Sequence, residues 1–447
     1  MVLAVIVLFV GTGVFPTIGG NILKSNNKNA DYYKFNELNS VENPKTIYVD
    51  DDNTEGPWYG TQQHPYKNIH DALINSVQGD TIIVYSGVYH GYNPFPDQVP
   101  ILRIDKSVNL IGQEVNGQGK PLVTTCIVIA PEIFQTGTTD YTKVSNFCIE
   151  YPYDTLLYDA IHVGSSSFIE ISNCNITASG YLMGGMLLLR ANGSIIKNNV
   201  IYDCHGSGIY VSNSNNIVFL ENEFNNNSGW GGIFFDNYGN GANHSIICHN
   251  RFIDNSAWDI CNNTWYNSMM STGNYWYNYE GEDKDGDGIG DIPYNITGEG
   301  KSQDLYPLMK PWSGRDNQPP EKPTINGPSN GNAGVSYEYK IHTSDPDGDN
   351  IRYLVNWGDN SIEWSKTIFS DGELILNHIW KAKGSYMIKL RAFDSSFEFS
   401  DWTTLSVSMS KSKMVNSPFI QFIKNLLQNH PHLYPLLRLL LQGLEQM

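Results

Sequence analysis

The chain has 447 residues and a formal net charge of −18, and only 17% of its residues are charged. This length predicts two or three domains, and the acidic balance argues against nucleic acid or an anionic membrane surface as a partner. An aromatic content of 12% argues against disorder, because so many large rings are typical of a packed core.

The first 20 residues are apolar and have no leading lysine or arginine. Such a run is typical of the core of a signal peptide or of a short signal anchor. Residues 21–45 are polar and predict a linker. We therefore expect a secreted or cell-surface protein. Membrane association through this amino-terminal segment is one way in which it would be held at the surface.

Residues 46–312 are predicted to form one domain built from repeats. Four segments between residues 160 and 276 share two short apolar pairs separated by a polar turn, followed by an anchor residue. Apolar residues two apart are typical of strands, and a near-constant period marks stacked units. The pattern predicts a parallel β-helix with three short strands per coil. The anchors are Cys174, Asn199, Asn222, Asn250 and Asn274, with spacings of 25, 23, 28 and 24 residues.

The same alignment predicts which side chains point into the β-helix. An insertion in the segment NYGNGANH accounts for the spacing of 28 residues. Apolar positions on one helical face of residues 67–77 predict a short amphipathic helix that covers the open end of the coils. The inward files hold Ile161, Met186 and Ile209, then Ile171, Ile196, Phe219 and Ile247, and then Ile176, Ile201, Phe224, Phe252 and Trp276.

The pattern changes after residue 312. Residues 313–323 are rich in proline and predict a linker, and residues 324–410 contain short alternating strands typical of a β-sandwich. Residues 411–447 are apolar at helical spacing but are interrupted by Pro431 and Pro435. This tail is equally compatible with an amphipathic pair lying on a membrane or partner and with a self-packed helical hairpin.

An acidic turn closes the repeats at residues 283–291. Carboxylates at its positions 1, 3, 5 and 9, glycine at position 6 and a backbone carbonyl at position 7 match the start of a calcium loop. Position 12 is Tyr294 rather than glutamate, so the turn is not a complete EF-hand, and Asp304 is a candidate distant ligand. We expect a structural Ca²⁺ ion, and the alternative is a solvated acidic turn. The predicted ligands are Asp283, Asp285, Asp287, Ile289 and Asp291.

An enzyme would need acidic residues that converge on one face. Asp203 and Asp254 each stand four residues after their anchors. They are two coils apart, about 9.6 Å for a strand spacing of 4.8 Å, the far limit for an inverting carboxylate pair. His205 is near Asp203 and is a candidate general acid or base, although a His–Asp pair in a turn is more often structural. No dense catalytic cluster is evident.

A binding function has a different candidate. Twelve positions before the anchor, on the outward face, stand His162, Leu187 and Tyr210, with Phe234 equivalent after the insertion. Aromatic faces of this kind stack on sugar rings. The alternative is that another part of the chain covers the strip. We name His162, Tyr210 and Phe234 as candidate carbohydrate-binding residues.

The coils, together with GNYWYNYEGEDKDGDGIGDIPYNI and the closing YPLMKPW, resemble the NosD-type family within the pectin-lyase-like β-helix proteins. The opening YVDDDN and the stretch IHDALINSVQGDTIIVYSGVYHG are similar to the amino-terminal cap of that group. The resemblance implies an all-β chain with a right-handed parallel β-helix. The family name implies copper delivery, but the sequence has no His-x-His, no Met-rich run and no close cysteine pair. Copper is therefore not expected.

Residues 319–410 resemble a PKD domain, an extracellular Ig-like module for adhesion or spacing. Trp357, Gly358 and Asp359 match the end of its Trp-x-Phe-Gly-Asp signature, whereas Val355 stands in the tryptophan place. The acidic turn containing Asp345, Asp347 and Asp349 is a second, weaker calcium candidate. The combination of domains resembles archaeal cell-surface proteins.

The leading hypothesis is a structural and binding protein of the cell surface. Its partner would be a surface polysaccharide or glycoprotein, and its PKD-like module would serve adhesion or spacing. The alternative is a polysaccharide lyase or glycoside hydrolase that uses Asp203, His205 and Asp254. Copper handling is a weaker alternative.

Overall fold

The computed structural model describes residues 43–92, 100–131, 139–152, 159–179, 184–253, 256–314 and 317–410. Within these ranges the chain is almost entirely β-structure, and the predicted fold class is confirmed. No helix within them has the length and apolar character needed to cross a membrane. The predicted signal segment, most of the 21–45 linker and the helical tail at 411–447 lie outside the described residues.

The β-helix contains one short helix, α1, at Ile69–Ile74, among the described residues. Its strands, each two to five residues long, follow one another with brief turns between them. In chain order they are β1 (Thr46–Val49), β2 (Thr81–Tyr85), β3 (Val88–Tyr89), β4 (Ile101–Ile104), β5 (Asn109–Gln113), β6 (Leu122–Val123), β7 (Cys126–Ile129), β8 (Lys143–Ser145), β9 (Cys148–Tyr151), β10 (Ile161–Gly164), β11 (Glu170–Ser172), β12 (Asn175–Ala178), β13 (Met186–Leu189), β14 (Ile195–Lys197), β15 (Val200–Tyr202), β16 (Ile209–Ser212), β17 (Val218–Leu220), β18 (Glu223–Asn225), β19 (Ile233–Asp236), β20 (Ile246–Cys248), β21 (Arg251–Ile253), β22 (Ala257–Asp259), β23 (Tyr275–Trp276), β24 (Tyr294–Asn295) and β25 (Gln303–Asp304).

Three parallel sheets run along the length of the β-helix. Sheet A is ordered β1-β2-β5-β8-β11-β14-β17-β20, sheet B is β23-β21-β18-β15-β12-β9-β6-β3, and sheet C is β22-β19-β16-β13-β10-β7-β4. From β2 to β22 the chain visits sheets A, B and C in turn, so each of these coils adds one strand to every sheet. Strands β24 and β25 form a small antiparallel pair after the last coil.

The strand register confirms the inward files predicted from the repeats. Ile171 pairs with Ile196, and Ile196 pairs with Phe219 in sheet A. In sheet C, Ile209 pairs with Ile233, so the insertion lies after β19, in the segment that was predicted. These apolar side chains are buried and stack along the interior of the coils.

The anchor residues form a buried ladder of hydrogen bonds. The backbone N–H of Asn199 donates to Oδ1 of Asn222 at 3.0 Å, and that of Asn222 donates to Oδ1 of Asn250 at 2.9 Å. The ladder continues through Asn274 and ends on Asp304, whose carboxylate accepts from the Asn274 N–H at 2.7 Å. Asp304 is therefore fully buried, away from the acidic turn for which it was a candidate ligand.

The residue before each of the first four anchors adopts a left-handed backbone conformation. Asn173 and Asn198 have φ values of 53° and 55°, which asparagine tolerates better than most residues. Glu221 and His249 occupy the same place in later coils, with φ values of 55° and 59°. Both contact Trp312, whose Nε1 donates to Glu221 at 3.1 Å and whose ring stacks on His249 at 3.9 Å. The closing segment is thereby held against the coils.

Helix α1 covers the amino-terminal end of the β-helix as predicted. Asn68 is its N-cap, and its side chain accepts a hydrogen bond from the Asp71 N–H at 2.8 Å. Ile69, Ala72 and Leu73 are buried in the same core as the coils. The helix is shorter than the 67–77 segment.

Residues 324–410 form an antiparallel sandwich, the C-terminal sandwich. One sheet is ordered β26-β28-β31 and the other is β27-β33-β32-β29-β30. Trp357 and Trp380 are buried between them. The strands are β26 (Thr324–Asn326), β27 (Asn330–Asn332), β28 (Ser336–His342), β29 (Arg352–Asn356), β30 (Ile362–Trp364), β31 (Glu373–Ile379), β32 (Gly384–Phe393) and β33 (Thr403–Ser410).

The C-terminal sandwich packs against the outer face of sheet A. Lys197 and Glu398 form an ion pair at 2.6 Å, and Nδ2 of Asn267 donates to the Ser395 carbonyl at 2.6 Å. The two parts of the chain share an apolar cluster, so the sandwich covers one face of the β-helix. From the β-helix this cluster contains Phe168, Ile195, Val218, Leu220, Ile246 and Cys248, and from the sandwich it contains Leu354, Phe393 and Phe397.

Candidate functional site

The outward strip predicted from the repeats lies on sheet C. His162 pairs with Leu187, Leu187 with Tyr210, and Tyr210 with Phe234. Phe234 in turn pairs with Trp258 on β22. The strip is therefore a continuous file along the sheet, and it lies on a different sheet from the one that the C-terminal sandwich covers.

Four aromatic rings gather at one end of this file, and we call them the aromatic platform: Tyr210, Trp230, Phe234 and Trp258. Trp230 stacks on Phe234 with ring centroids 5.2 Å apart and meets Trp258 edge-on at 5.0 Å. Tyr210 meets Phe234 at 5.2 Å. Phe234 is 9% exposed, whereas Trp230 is 48% exposed, so an indole face lies at the surface on a buried ring.

A carboxylate stands beside the platform. Asp236 accepts hydrogen bonds from the Tyr210 hydroxyl at 2.6 Å and from the Tyr238 N–H at 3.1 Å. Burial, and then the hydrogen bond and charge of Asp236, raise the pKa of Tyr210, which stays protonated at neutral pH. The site thus joins apolar ring faces to a fixed anionic acceptor, the two features that recognise a sugar's C–H face and its hydroxyls.

His162 belongs to the same file but not to the platform. It is two coils from Tyr210, about 10 Å at the usual strand spacing, and Leu187 stands between them. Burial lowers the pKa of His162, which favours the neutral imidazole. Its role in binding remains a prediction.

Two rings of the platform, Trp230 and Trp258, were not predicted from the sequence. Trp258 stands 24 residues after Phe234, so extending the alignment by one coil would have found it. Trp230 lies in the turn before β19, where the repeat imposes no pattern. Its position is fixed only by packing on Phe234, which the sequence does not reveal.

The catalytic candidates have separate surroundings. Asp203 is exposed, with φ of 51°, and accepts a hydrogen bond from Nδ2 of Asn226 at 2.7 Å. His205 is also exposed, and its backbone N–H donates to the Ala178 carbonyl at 3.2 Å. Asp254 lies outside the described residues. The described part of the chain therefore contains only one member of the proposed carboxylate pair, and catalysis at these residues remains a prediction.

The acidic turn brings three carboxylates together. Ligand oxygens of Asp283, Asp285 and Asp287 lie within 4.8 Å of one another, the one such set of three among the described residues. The Asp283 carboxylate accepts from the N–H groups of Gly286 at 2.8 Å and Gly288 at 3.0 Å, which fixes the curvature of the turn. Clustered carboxylate oxygens on a tight turn are the donors that Ca²⁺ prefers.

The remaining predicted ligands lie on the same loop. The Asp291 carboxylate accepts from the Lys284 N–H at 3.0 Å, and Ile289 forms a bridge with Leu308. Tyr294 stacks on Trp276 at 4.2 Å, so the twelfth position contributes to the core. The donor set fits calcium, with Asp283, Asp285, Asp287, Ile289 and Asp291 as the residues that would hold it.

The second acidic turn is organised differently. The Asp345 carboxylate accepts from the N–H groups of Asp347 and Asp349, both at 3.0 Å. Asp347 accepts from the Gln318 N–H at 2.6 Å. These bonds tie the turn to the linker before the sandwich. A calcium ion at Asp345, Asp347 and Asp349 remains a prediction.

A family model described as a right handed beta helix region matches residues 134–278. The chain contains a right-handed β-helix. This match includes the platform strands β16 and β19. No curated protein matches the chain.

Two solved PKD domains are similar to about a fifth of this right-handed β-helix protein. A PKD domain of an M14-like peptidase from a Thermoplasmatales archaeon is 43% identical, covers 22% of this chain and 100% of that chain, and has a TM-score of 0.21. The PKD1 domain of Vibrio anguillarum Epp is 18% identical over 22% of this chain and 99% of that chain, with a TM-score of 0.17. The C-terminal sandwich is thus similar in sequence to the first of these PKD domains over that domain's whole length, and we call it PKD-like.

Tailspike protein 2 from an Escherichia coli O157:H7 bacteriophage is a further similar structure. It is 12% identical, with a TM-score of 0.26, over 76% of this chain and 56% of that chain. The chain therefore spans little more than half the length of that tailspike.

Proposed function

We propose that this β-helix protein binds saccharide chains through the aromatic platform. The observation that carries the proposal is the half-exposed Trp230, which stacks on the buried Phe234. Tyr210, on the same buried ring, donates a hydrogen bond to the Asp236 carboxylate. An aromatic face held at the surface by a buried neighbour is already ordered. Stacking a sugar on it therefore costs little conformational entropy.

The covered face of the β-helix supports this choice. Outward apolar residues on sheet A are buried beneath the PKD-like sandwich, with Leu220 at 0% exposure. In the turns on either side of strand β19 in sheet C, Trp230 and Tyr238 stay 48% and 66% exposed. Exposed aromatic clusters on folded proteins are typical of interaction sites.

We further propose that the protein works outside the cell, secreted or at the cell surface, with a surface polysaccharide or glycoprotein as its partner. The apolar amino-terminal segment and the acidic charge of −18 support this placement. The PKD-like sandwich would serve adhesion, and Ca²⁺ at residues 283–291 would stabilise the end of the coils. The NosD-type and archaeal assignments, and membrane association through either terminal segment, remain predictions.

Binding is tested by isothermal titration with a panel of neutral and acidic oligosaccharides. Trp230→Ala should weaken the binding of any neutral oligosaccharide that binds the wild type by about tenfold or more, because about 1.4 kcal/mol of stacking is removed. Trp58→Ala is the matched control, since Trp58 is 47% exposed and lies near the opposite end of the β-helix. Equal affinity in wild type and Trp230→Ala, or no binding across the panel, would overturn the proposal.

The same panel tests the enzyme alternative. Products are separated after incubation with calcium, and cleavage that disappears in Asp203→Ala would favour a polysaccharide lyase or glycoside hydrolase. Saccharide binding without products would favour the binding role.

A further inference from the structure

A cleft separates the turns of the β-helix from the PKD-like sandwich beside their contact. It consists of two cavities of about 550 and 670 Å³ that share Asn216, His244 and Ile362 in their walls. We call this space the interdomain cleft. Each of the two cavities has a volume within the range of ordinary ligand sites.

The β-helix wall of the cleft is an array of asparagines on successive coils. The N–H of Asn215 donates to Oδ1 of Asn192 at 2.8 Å, and the N–H of Asn243 donates to Oδ1 of Asn215 at 3.0 Å. Each amide keeps further hydrogen-bonding capacity, because it has two acceptor sites and two donors. The array repeats at about 4.8 Å, the spacing between coils. Regularly spaced amides suit the hydroxyl groups of a chain of sugars.

The sandwich wall adds a cation that has no ion-pair partner among the described residues. Arg352 lines the cleft, and its guanidinium lies over the Trp364 ring at 5.2 Å. Its Nε donates to the Ser365 carbonyl at 3.3 Å, and none of the ion pairs among the described residues includes it. A half-buried guanidinium on a ring face, with donors to spare, is suited to a carboxylate.

The charged groups around Arg352 leave its guanidinium able to bind a carboxylate of a ligand. Glu363 lines the same cavity, but its Oε1 accepts from Nε1 of Trp357 at 2.8 Å. Arg190 stands in the neighbouring wall, and His244 lies between the two cavities. The lining of the cleft thus holds two arginines and one carboxylate, whereas the whole chain has a net charge of −18.

We infer that the interdomain cleft binds an acidic saccharide, with a uronate carboxylate paired to Arg352 and sugar hydroxyls bonded to the asparagine array. The inference rests on the proposed function in one respect, namely that the ligand is a saccharide. The cleft and the aromatic platform share no residues, so an experiment can contradict the proposal for one site without contradicting the proposal for the other.

The test measures binding of the intact chain to oligomers of galacturonate, glucuronate and mannuronate, each beside its carboxyl-reduced neutral form. At least one acidic oligomer should bind about tenfold more tightly than its neutral form, and added salt should reduce the difference. Arg352→Gln should abolish this preference, and Arg352→Lys should restore part of it, because lysine keeps the charge but not the planar fork. Trp230→Ala should leave the preference unchanged.

A second variant tests the inference even if Arg352→Gln fails to fold. Asn240 is exposed in the cleft wall and uses its backbone carbonyl to accept from Asn243, so Asn240→Asp adds a negative charge without removing that bond. It should weaken the acidic oligomer selectively, whereas Asn326→Asp on β26, outside the cleft lining, should not. Equal binding of acidic and neutral forms, no binding of any uronate, or an unchanged preference in both cleft variants would each overturn the inference. If Trp230→Ala loses all saccharide binding while Arg352→Gln and Asn240→Asp bind like the wild type, the cleft inference is wrong and the proposed function of the aromatic platform is supported.

Discussion

At the scale of single residues, the buried Asp304 ends the asparagine ladder. Its carboxylate accepts from the N–H groups of Asn274 and Tyr306 and from Nε1 of Trp276. These donors favour the charged form, but burial outweighs them and raises the pKa of Asp304 to about 6. The ladder residues could be predicted because they repeat. Asp304 could not, because it follows the last repeat and reaches the ladder only through the β24–β25 pair.

This carboxyl should make stability depend on pH. An aspartate whose pKa is higher in the folded than in the unfolded protein binds its proton more tightly when folded. Its contribution is therefore greatest below about pH 4 and is lost as pH rises to about 6, a change of about 3 kcal/mol for a shift from 3.8 to about 6. In Asp304→Asn, an amide continues the ladder and this dependence disappears.

The measurement is the free energy of unfolding in urea from pH 4 to pH 7. The wild-type value minus that of Asp304→Asn should fall through this window, and other buried carboxyls such as Asp159 and Asp394 cancel in the difference. A difference that rises with pH would mean that the hydrogen-bond donors outweigh burial.

At the scale of elements, the register of the strands could be predicted from the sequence. The segments that pack against the strands from elsewhere in the chain could not. The side-chain period of two and the repeat of about 25 residues together determine which residues face inward, and Ile196 and Phe224 are buried accordingly. The acidic turn was also predictable as a donor set, because its ligands are close in sequence. Its connection to the β-helix was not: the Met309 N–H donates to the Gly288 carbonyl, from a segment that closes the domain later in the chain.

Calcium at the acidic turn should stabilise this closing element. An ion that binds only the folded state adds about 2.7 kcal/mol when free calcium is 100-fold above Kd. Chelation should then lower the Tm of the wild type. Asp285→Ser should show a lower Tm with calcium present and little further change on chelation.

Glu299→Gln is the control, because Glu299 is exposed and outside the donor set. It should keep the full response to chelation. A wild-type Tm that is the same with and without chelator would argue against a structural ion at residues 283–291.

At the scale of the whole molecule, the PKD-like sandwich is attached to the β-helix by more than its linker. The sequence predicts an independent adhesion or spacer module, because short alternating strands after a proline-rich segment are typical of one. A signal for docking was present on sheet A, where the outward neighbours Ile195, Val218 and Ile246 are apolar on successive coils. Their burial requires a partner surface. Which part of the chain supplies it depends on contacts far apart in sequence, such as Lys197 with Glu398.

This contact should couple the unfolding of the two domains. Leu220 is fully buried in the shared apolar cluster, so Leu220→Asp would place an unpaired charge there, at a cost of about 3 kcal/mol or more. We expect calorimetry to show one transition for the wild type and two for Leu220→Asp, with faster proteolytic cleavage in the 313–323 linker. Val200→Asp, on the outward face of sheet B, should keep a single transition, because Val200 lies outside the cluster. If Leu220→Asp melts in one transition and its linker is cut no faster, the sandwich is a tethered module, and the interdomain cleft would lose the fixed wall that holds Arg352.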